Sequence, residues 1–349
     1  MELRIYDKEL DLLGIIENQK SLIWTRRYNK AGEFLAYFPL TDDNIRLIQI
    51  DNLISFRGSK EAGVIEDVIM RSTNLERVII ARGRFLVSYL DRRLIRPTYN
   101  FNGRTEVAMR TMIQNAVAIP LVEMGTLQGF TDTIEFQATY KNLLSYESKL
   151  SIYSNIGFRF RPDFTNKKIY FETYRGLDRT RGQTDRPFVE FSDRFDNLSS
   201  VENRKNTQLL KNVGYVGGEG EGSERVYVTV GDNTLTGLAR REVFIDARDI
   251  SSMDITQSEY LEALRTRGIE KMNEQIFSDS YDVTTVPTGN YKYKDDYDLG
   301  DIVTIRKTDW NLSTNLRITE IQEVYEHGTA TVIPTLGSPL PTKINWDEE

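Results

Sequence analysis

The sequence predicts a mainly β protein with α+β insertions: two similar small β-barrels, an α+β module and a helical insertion. Three observations predict this class. Apolar and polar residues alternate through Asp298–Gly337 and again through Asn52–Gly83, the period of strands with one buried face. The chain holds 18 Tyr and 16 Phe against 7 Met, a balance that suits pleated packing. At 349 residues and 39% hydrophobic content it can build more than one core, so about two to four domains are expected.

Each element follows from local chemistry. Leu3–Tyr6 and Gly14–Ile16 open the first barrel. Ser21–Tyr28 and Glu33–Phe38 are strands about a turn at Asn29–Gly32. Asn52–Arg57, Gly63–Ile69 and Arg77–Gly83 read as a three-stranded meander. Met109, Met112, Ile113 and Ala116 then take helical spacing, stopped by Pro120. A second helix is expected around Lys141–Tyr153, on Leu143, Tyr146, Leu150 and Tyr153, with strands at Ile156–Arg161 and Ile169–Tyr174 after it. A polar loop covers Gly176–Asp185, and Gln208–Val216 with Arg225–Val230 forms a long hairpin tipped by Gly217–Ser223. Thr256-Gln257-Ser258-Glu259 is a capping box for a helix faced by Leu261, Leu264, Met272 and Ile276. Asp298–Ile305, Leu316–Val324 and Thr329–Pro334 make the closing meander, which ends where Pro334 cannot donate to a ladder.

The expected organisation is a first barrel at 1–97 and an α+β module at 98–187. A second barrel spans 188–255 with 286–340, interrupted by a helical insertion at 256–285 and followed by an acidic tail at 341–349. The two meanders share strand order, and each second strand carries an acidic residue among apolar ones, Glu66 and Glu320. Repetition of this kind points to two related barrels. Alternation is common enough that two unrelated meanders fit it as well.

The chemistry is largely one of exclusion. There is no Cys, so disulfides, thiolate metal sites and Cys nucleophiles are ruled out. His327 is the single His, which leaves no common zinc site, and a Ser-His-Asp mechanism would rest on one turn residue. The glycine-rich tip fits no phosphate loop: no Gly-Lys-Ser/Thr follows it, and Glu219, Glu221 and Glu224 would repel phosphate. A calcium site at this tip would match no known loop spacing. Glu66-Asp67, Asp295-Asp296 and Asp298 are the carboxylates available for glycoside hydrolysis, against the plainer reading of solvated turns and strand faces. Trp24, Trp310 and Trp346 form no local sugar platform. Arg175, Arg179, Arg181 and Arg186 share their loop with Asp178 and Asp185, which compensates them. No cofactor or metal is expected. The net charge of -7 is the opposite of a nucleic-acid footprint. No apolar run approaches membrane-spanning length, and the first residues lack the apolar core of a signal peptide. Synthesis in the cytoplasm without general secretion is therefore expected, with no membrane anchor.

A family resemblance emerges from several stretches together. Tyr297-Asp298-Leu299-Gly300-Asp301-Ile302-Val303-Thr304, Arg317-Ile318-Thr319-Glu320 and Val332-Ile333-Pro334-Thr335-Leu336-Gly337 resemble the corresponding strands of siphophage-type tail hub (baseplate hub) proteins. So do Asn212-Val213-Gly214-Tyr215-Val216 with its Gly-Glu tip and Ser21-Leu22-Ile23-Trp24-Thr25-Arg26-Arg27-Tyr28. The order of elements matches over nearly the whole chain. These hubs are related in fold to the central hub of contractile tails and tailocins. The resemblance implies a homotrimer whose paired barrels form a ring of six, joining a hexameric tail tube or distal tail protein to a three-fold tip or spike. It places the chain in the tail of a virion or phage-like particle, near a tape-measure protein, with DNA passing through the lumen. It brings no catalytic motif. Trp24, Tyr28, Phe34 and Tyr37 in the first hairpin, with Glu219 and Glu221 at the tip, are the candidate assembly contacts. A tail-associated hydrolase of cell wall or polysaccharide is the alternative, and a receptor-binding module a third reading. A trimer mass in solution favours the hub, whereas clearing of a cell-wall suspension favours the hydrolase.

Overall fold

The computed structural model describes the chain except residues 75, 117, 118, 120, 274–277, 286–289, 327 and 338–349. Pro120, Ile276, His327, Trp346 and the expected acidic tail at 341–349 lie outside the described residues.

The N-terminal part begins with β1 (Leu3–Tyr6) and β2 (Leu12–Ile16), followed by the hairpin β3 (Ser21–Arg27) and β4 (Glu33–Pro39). Alternation decides its faces: Leu22 and Trp24 on β3 and Phe34, Ala36 and Phe38 on β4 are all buried. Helix α1 (Asp42–Leu47) is capped by Thr41, whose Oγ1 accepts from the Asn44 N–H at 3.3 Å. Strands β5 (Leu53–Phe56), β6 (Gly63–Val64), β7 (Asp67–Ser72) and β8 (Arg77–Arg84) follow.

The α+β module contains β9 (Tyr99–Arg104), α2 (Thr105–Asn115), β10 (Val122–Met124), β11 (Thr133–Ala138), α3 (Leu143–Ser154), β12 (Gly157–Asp163) and β13 (Lys168–Tyr174). Its core takes in Met109, Met112, Leu143, Tyr146 and Leu150, the residues whose spacing predicted helices. Tyr6, Leu53 and Leu90 join the same core, so the module is packed onto the N-terminal part. Glu147 on α3 is fully buried and neither of its oxygens has a hydrogen-bond partner among the described residues. Burial pushes its carboxyl well above the ordinary 4.5. The unfolded chain releases this proton near that ordinary value and the folded chain keeps it, so its contribution to stability falls as pH rises above about 4.5. Glu147→Leu should therefore raise thermal stability at pH 8 more than at pH 5. Parallel melting curves for wild type and variant across that range would sink the prediction.

The C-terminal part runs through β14 (Glu190–Ser192), β15 (Leu198–Asn206), β16 (Val213–Gly217), β17 (Tyr227–Gly231), β18 (Glu242–Asp246), α4 (Gln257–Asn273), β19 (Ser278–Thr285), β20 (Ile302–Lys307), β21 (Leu312–Glu326) and β22 (Thr329–Gly337). The capping box opens α4 as expected: the Thr256 N–H donates to Glu259 Oε2 at 2.7 Å, and the Glu259 N–H to Thr256 Oγ1 at 3.3 Å. Helix α4 packs on the sheet β17-β16-β18 through Tyr260, Ala263 and Leu264, giving residues between β15 and β19 a core of their own. The expected two-stranded hairpin thus gains β18, parallel to β16. Ser278–Thr285, expected within the helical insertion, is a strand. Among the described residues no helix is long and apolar enough to cross a membrane.

Each half of the main body has its own core. In the first, β3, β4 and β8 pack on the sheet β2-β1-β5-β6 around Leu3, Ile5, Trp24, Phe34, Phe38, Ile54 and Ile79. In the second, β20 is hydrogen-bonded to β21 and carries β14, and these strands share with β19 and β22 a core of Phe191, Tyr281, Val303, Ile305, Ile318, Ile321 and Leu336. None of the described sheets closes on itself.

The matched meanders need correction. Residues 302–337 do form a meander, with β20 on β21 and β21 on β22, but its last strand does not end at Pro334: that residue sits in the ladder opposite Ile321, and β22 runs on to Gly337. Residues 52–83 do not: β5 and β6 belong to the small sheet, while β7 and β8 belong to the large one. The chain changes sheets at Ile65-Glu66, where the Asp51 N–H donates to Ile65 O at 2.8 Å and the Glu66 N–H to Arg82 O at 3.0 Å. Moreover β7, β8, β21 and β22 share one continuous sheet. Equivalence of those two stretches is therefore lost, together with the argument for six-fold pseudosymmetry built on it.

Candidate assembly surface

The large sheet is ten-stranded, and its main path runs β15-β19-β22-β21-β3-β4-β8-β7. Its centre is a joint between the two ends of the chain. Glu320–Glu326 of β21 pairs antiparallel with Ser21–Arg27 of β3, with Ile321 opposite Arg26, Glu323 opposite Trp24 and Tyr325 opposite Leu22. The outer face of the joint is tied by Arg27, which donates to Glu320 at 2.7 Å and to Glu33 at 2.6 Å.

The inner face of the joint buries a charged network. Arg26 donates to Glu61 at 3.0 Å, to Asp298 at 2.6 Å and to the Tyr293 hydroxyl at 2.7 Å. Its side chain is 4% exposed and that of Glu61 5%, so this is an interior ion cluster rather than a surface pair. Burial alone would lower the Arg26 pKa, but Tyr293, Glu61 and Asp298 raise it well above its ordinary value. Burial likewise opposes the charge on Asp298. Arg26, the Leu299 N–H and Lys60 overcome it and hold that carboxyl down at about 2. The Tyr293 hydroxyl in turn donates to Glu323 at 3.0 Å, and Glu323 also accepts from Lys294 at 3.2 Å and Tyr325 at 2.5 Å. Burial raises the Tyr293 and Tyr325 hydroxyl pKa values, so both remain donors at neutral pH.

A repeat exists, in a different place from the one expected. From the joint outward the first unit reads β3-β4-β8-β7 across the sheet. Toward the joint the second reads β15-β19-β22-β21. Within each unit the first two strands are consecutive along the path, and the last two form a hairpin in reversed spatial order. The chain order also matches: β3, β4, β7, β8 against β15, β19, β21, β22. Between the members of each unit the chain leaves the main path, to β5 and β6 in the small sheet in the first unit and to β20, which pairs with β21 off the path, in the second. The segment bearing β16–β18 and α4 stands where the first unit has its short turn after Arg27.

The joint uses one end of each unit, β3 and β21. The other ends, β7 and β15, terminate the path. Strand β7 is exposed from Ile69 to Ser72, with Ile69 at 37% and Met70 at 50%. An exposed apolar edge of this length is a template for another strand.

The candidate contacts named from sequence fall into two groups. Trp24, Tyr28 and Phe34 are buried within the chain itself. Trp24 packs with its ring centroid 4.4 Å from Phe85, and the Tyr28 hydroxyl donates to Asn155 O at 3.0 Å. All three rings are taken up by the chain's own cores, Trp24 and Phe34 in the first and Tyr28 in the second. Tyr37, half-buried on β4, and exposed Glu221 remain at the surface. Glu219 already accepts from the Ser252 N–H at 3.0 Å and its hydroxyl at 2.7 Å, and the Tyr260 hydroxyl accepts from the Glu219 N–H at 2.7 Å. The base of the Gly-rich tip is thus held within the chain. Sequence reasoning passed over Arg26, whose signal was a charge at an inward position of an alternating strand.

Three of the carboxylates considered for hydrolysis, Glu66, Asp67 and Asp298, have charged partners. Glu66 accepts from Arg84 at 3.0 Å, Asp67 is paired with Arg82, and Asp298 with Arg26. The open groove of about 670 Å³ between Gly14–Asn18 and Asp43–Leu47 is lined by acids, amides, one arginine and apolar residues, with no Ser, Thr, His or Lys. Among the described residues no group of three or more His, Cys, Asp or Glu could hold a metal ion.

Comparison with known proteins adds the following. The family model described as Siphovirus ReqiPepy6 Gp37-like protein matches residues 2–338. No curated protein matches the sequence. Among solved structures, the 43 kDa tail protein of prophage MuSo2 from Shewanella oneidensis is similar at 14% identity and a TM-score of 0.58, over 96% of this chain and 98% of that one. The tail protein from Neisseria meningitidis MC58 is similar at 10% identity and 0.57, over 96% and 95%. Prophage tail protein gp18 from Listeria monocytogenes EGD-e is similar at 10% identity and 0.55, over 98% and 96%. At these identities the likeness establishes a shared fold.

Proposed function

The chain belongs to the Siphovirus ReqiPepy6 Gp37-like protein family, a family of siphophage tail proteins, and from that premise we propose that it is the structural hub at the distal end of the tail. Three copies form a pseudo-six-fold ring that joins the hexameric tube, or a distal tail protein, to the three-fold tip or spike. The observation that carries this reading is the repeat in the large sheet, in which two four-stranded units follow each other with the same chain order and spatial order. Three copies of a chain with two like units offer six near-equivalent seats, which is what a six-fold partner requires. Each unit with the strands that leave its path is one barrel-like wall. The α+β module and the segment carrying β16–β18 and α4 are peripheral additions. A tape-measure protein and DNA in transit are neighbours of the lumen.

The protein acts by geometry rather than catalysis. Favouring this over a cell-wall hydrolase is the use of Glu66, Asp67 and Asp298 in ion pairs with Arg84, Arg82 and Arg26. A tag inserted after Leu238, which is fully exposed between β17 and β18, tests the placement. In particles carrying the tagged chain, electron microscopy should find label at the tail end distal to the head, in three-fold arrangement. Label along the tube or at the head, or lysis zones from the purified protein in a cell-wall gel, would refute the hub.

A further inference from the structure

We propose that β7 of one copy pairs antiparallel with β15 of the next, repeating between chains the joint that β21 and β3 make within one. The inference rests on the ring reading above and names the surface that closes it. In the repeat, β7 holds the place of β21 and β15 the place of β3. The ends that join inside the chain are therefore the counterparts of the ends that terminate the path. Strand directions agree, since every neighbour along the path is antiparallel. A second copy is the occupant because the internal joint is a working example of the same contact between the same two kinds of edge.

The internal joint also sets the register. Strand β7 begins at Asp67 as the paired half of β21 begins at Glu320, and β15 ends at Asn206 as β3 ends at Arg27. With those ends matched, core-facing Val68 takes the place of Ile321, and Val201 that of Leu22. The faces therefore agree, as a period of two demands. Transposing the pairing of Val324 with Ile23 puts Arg71 opposite Glu202 of the next copy. Asp67 then lies diagonal to Arg204, within reach of long side chains. Opposite charges thus meet along the exposed face. Their present partners are cheap to exchange: Arg71 and Glu76 are 3.7 Å apart and half exposed, Arg204 and Glu202 are 3.8 Å apart and more exposed still, and Asp67 pairs with an Arg82 side chain that is 61% exposed.

The absence of Cys makes a clean test. Arg71→Cys with Glu202→Cys places two thiols across a strand pair, where Cα separation suits a disulfide. Mild oxidation of the purified full chain should give a covalent ladder ending at a closed trimer, and neither single variant should. Arg71→Cys with Arg204→Cys, one step out of register, should cross-link less. In the cysteine-free chain, Arg71→Glu should weaken the trimer on the order of tenfold, and Glu202→Arg added to it should restore assembly. A wild type with the mass of one chain at its highest soluble concentration overturns the proposal. So does a trimer that neither cross-links nor responds to Arg71→Glu, or a ladder running past three. A distal tail label without the cross-link removes the joint and leaves the hub, whereas the cross-link in a protein absent from the tail end does the reverse.

Discussion

Arg26→Met should cost about 3–5 kcal/mol of stability, read as a lower urea midpoint at pH 7. The side chain lies at the inner face of the β3–β21 joint, with Glu61 from the first unit and Asp298 and Tyr293 from the second as partners. Removing the guanidinium leaves two carboxylates in the interior with part of their compensation gone. Lys60 still reaches Asp298 at 3.1 Å, but its side chain is half exposed and far less able to offset burial. The pH dependence separates this from a simple packing loss. Asp298 sits at about 2 when folded against an ordinary 3.8, so it contributes stability fully present above about pH 4 and lost as pH falls toward 2. That difference corresponds to roughly 2 kcal/mol. In Arg26→Met the depressed pKa should rise, and the acid limb should move to higher pH. Adding Glu61→Gln and Asp298→Asn should recover part of the loss, because an uncharged interior needs no counter-ion. A single variant as stable as wild type, or one whose acid limb stays put, would show that the network adds nothing to the joint.

Much of the strand content was legible because it is written in alternation that a half-buried sheet enforces. Ser21–Arg27, Glu33–Pro39 and the run from Ile302 to Pro334 could be read that way, though the last strand continues through Pro334 to Gly337, and the Thr256–Glu259 cap follows from four residues. What alternation cannot convey is which strand lies beside which. Gly63–Val64 and Asp67–Ser72 look like one strand, yet they pair in different sheets because the chain crosses at Ile65-Glu66. Only tertiary hydrogen bonds mark that crossing. The true repeat was hidden for a related reason. The strand after Asn206 is reached only after a long segment with its own core, so the equivalent of the tight β3–β4 connection has no local signature. Ser278–Thr285 was missed because its polar residues carry neither strand nor helix periodicity, and pairing with β15 and β22 supplies the conformation. Trp24, Phe34 and Tyr37 are visible in the sequence as aromatics of one hairpin. Their direction depended on a facing layer, formed by β1, β2, β5 and β6, that no local rule anticipates.

Gly83→Ala should be among the most damaging single-methyl changes in the chain, at about 3 kcal/mol, and should weaken assembly beyond its effect on folding. Gly83 lies on β8 opposite Phe34, directly beneath the segment that crosses from the small sheet to the large one. A Cβ there would fall far inside the contact distance of the Val64 carbonyl and 2.9 Å from the Glu66 nitrogen. Both are backbone atoms, so no rotamer change relieves the clash. Either β8 or the crossing must move. Moving the crossing loosens the Glu66 N–H bond to Arg82 O, and with it the start of β7 at Asp67. Since β7 ends the path, the displaced strand is the one on which pairing with a second copy depends. Gly182→Ala is the matched control: the nearest atom to its added methyl is Thr180 Oγ1 at 4.0 Å, so it should change stability by less than about 0.5 kcal/mol. Urea midpoints of the two variants, with their masses under native conditions, check the argument. If Gly83→Ala melts with Gly182→Ala and keeps the same assembly, the crossing has slack and does not fix the position of β7.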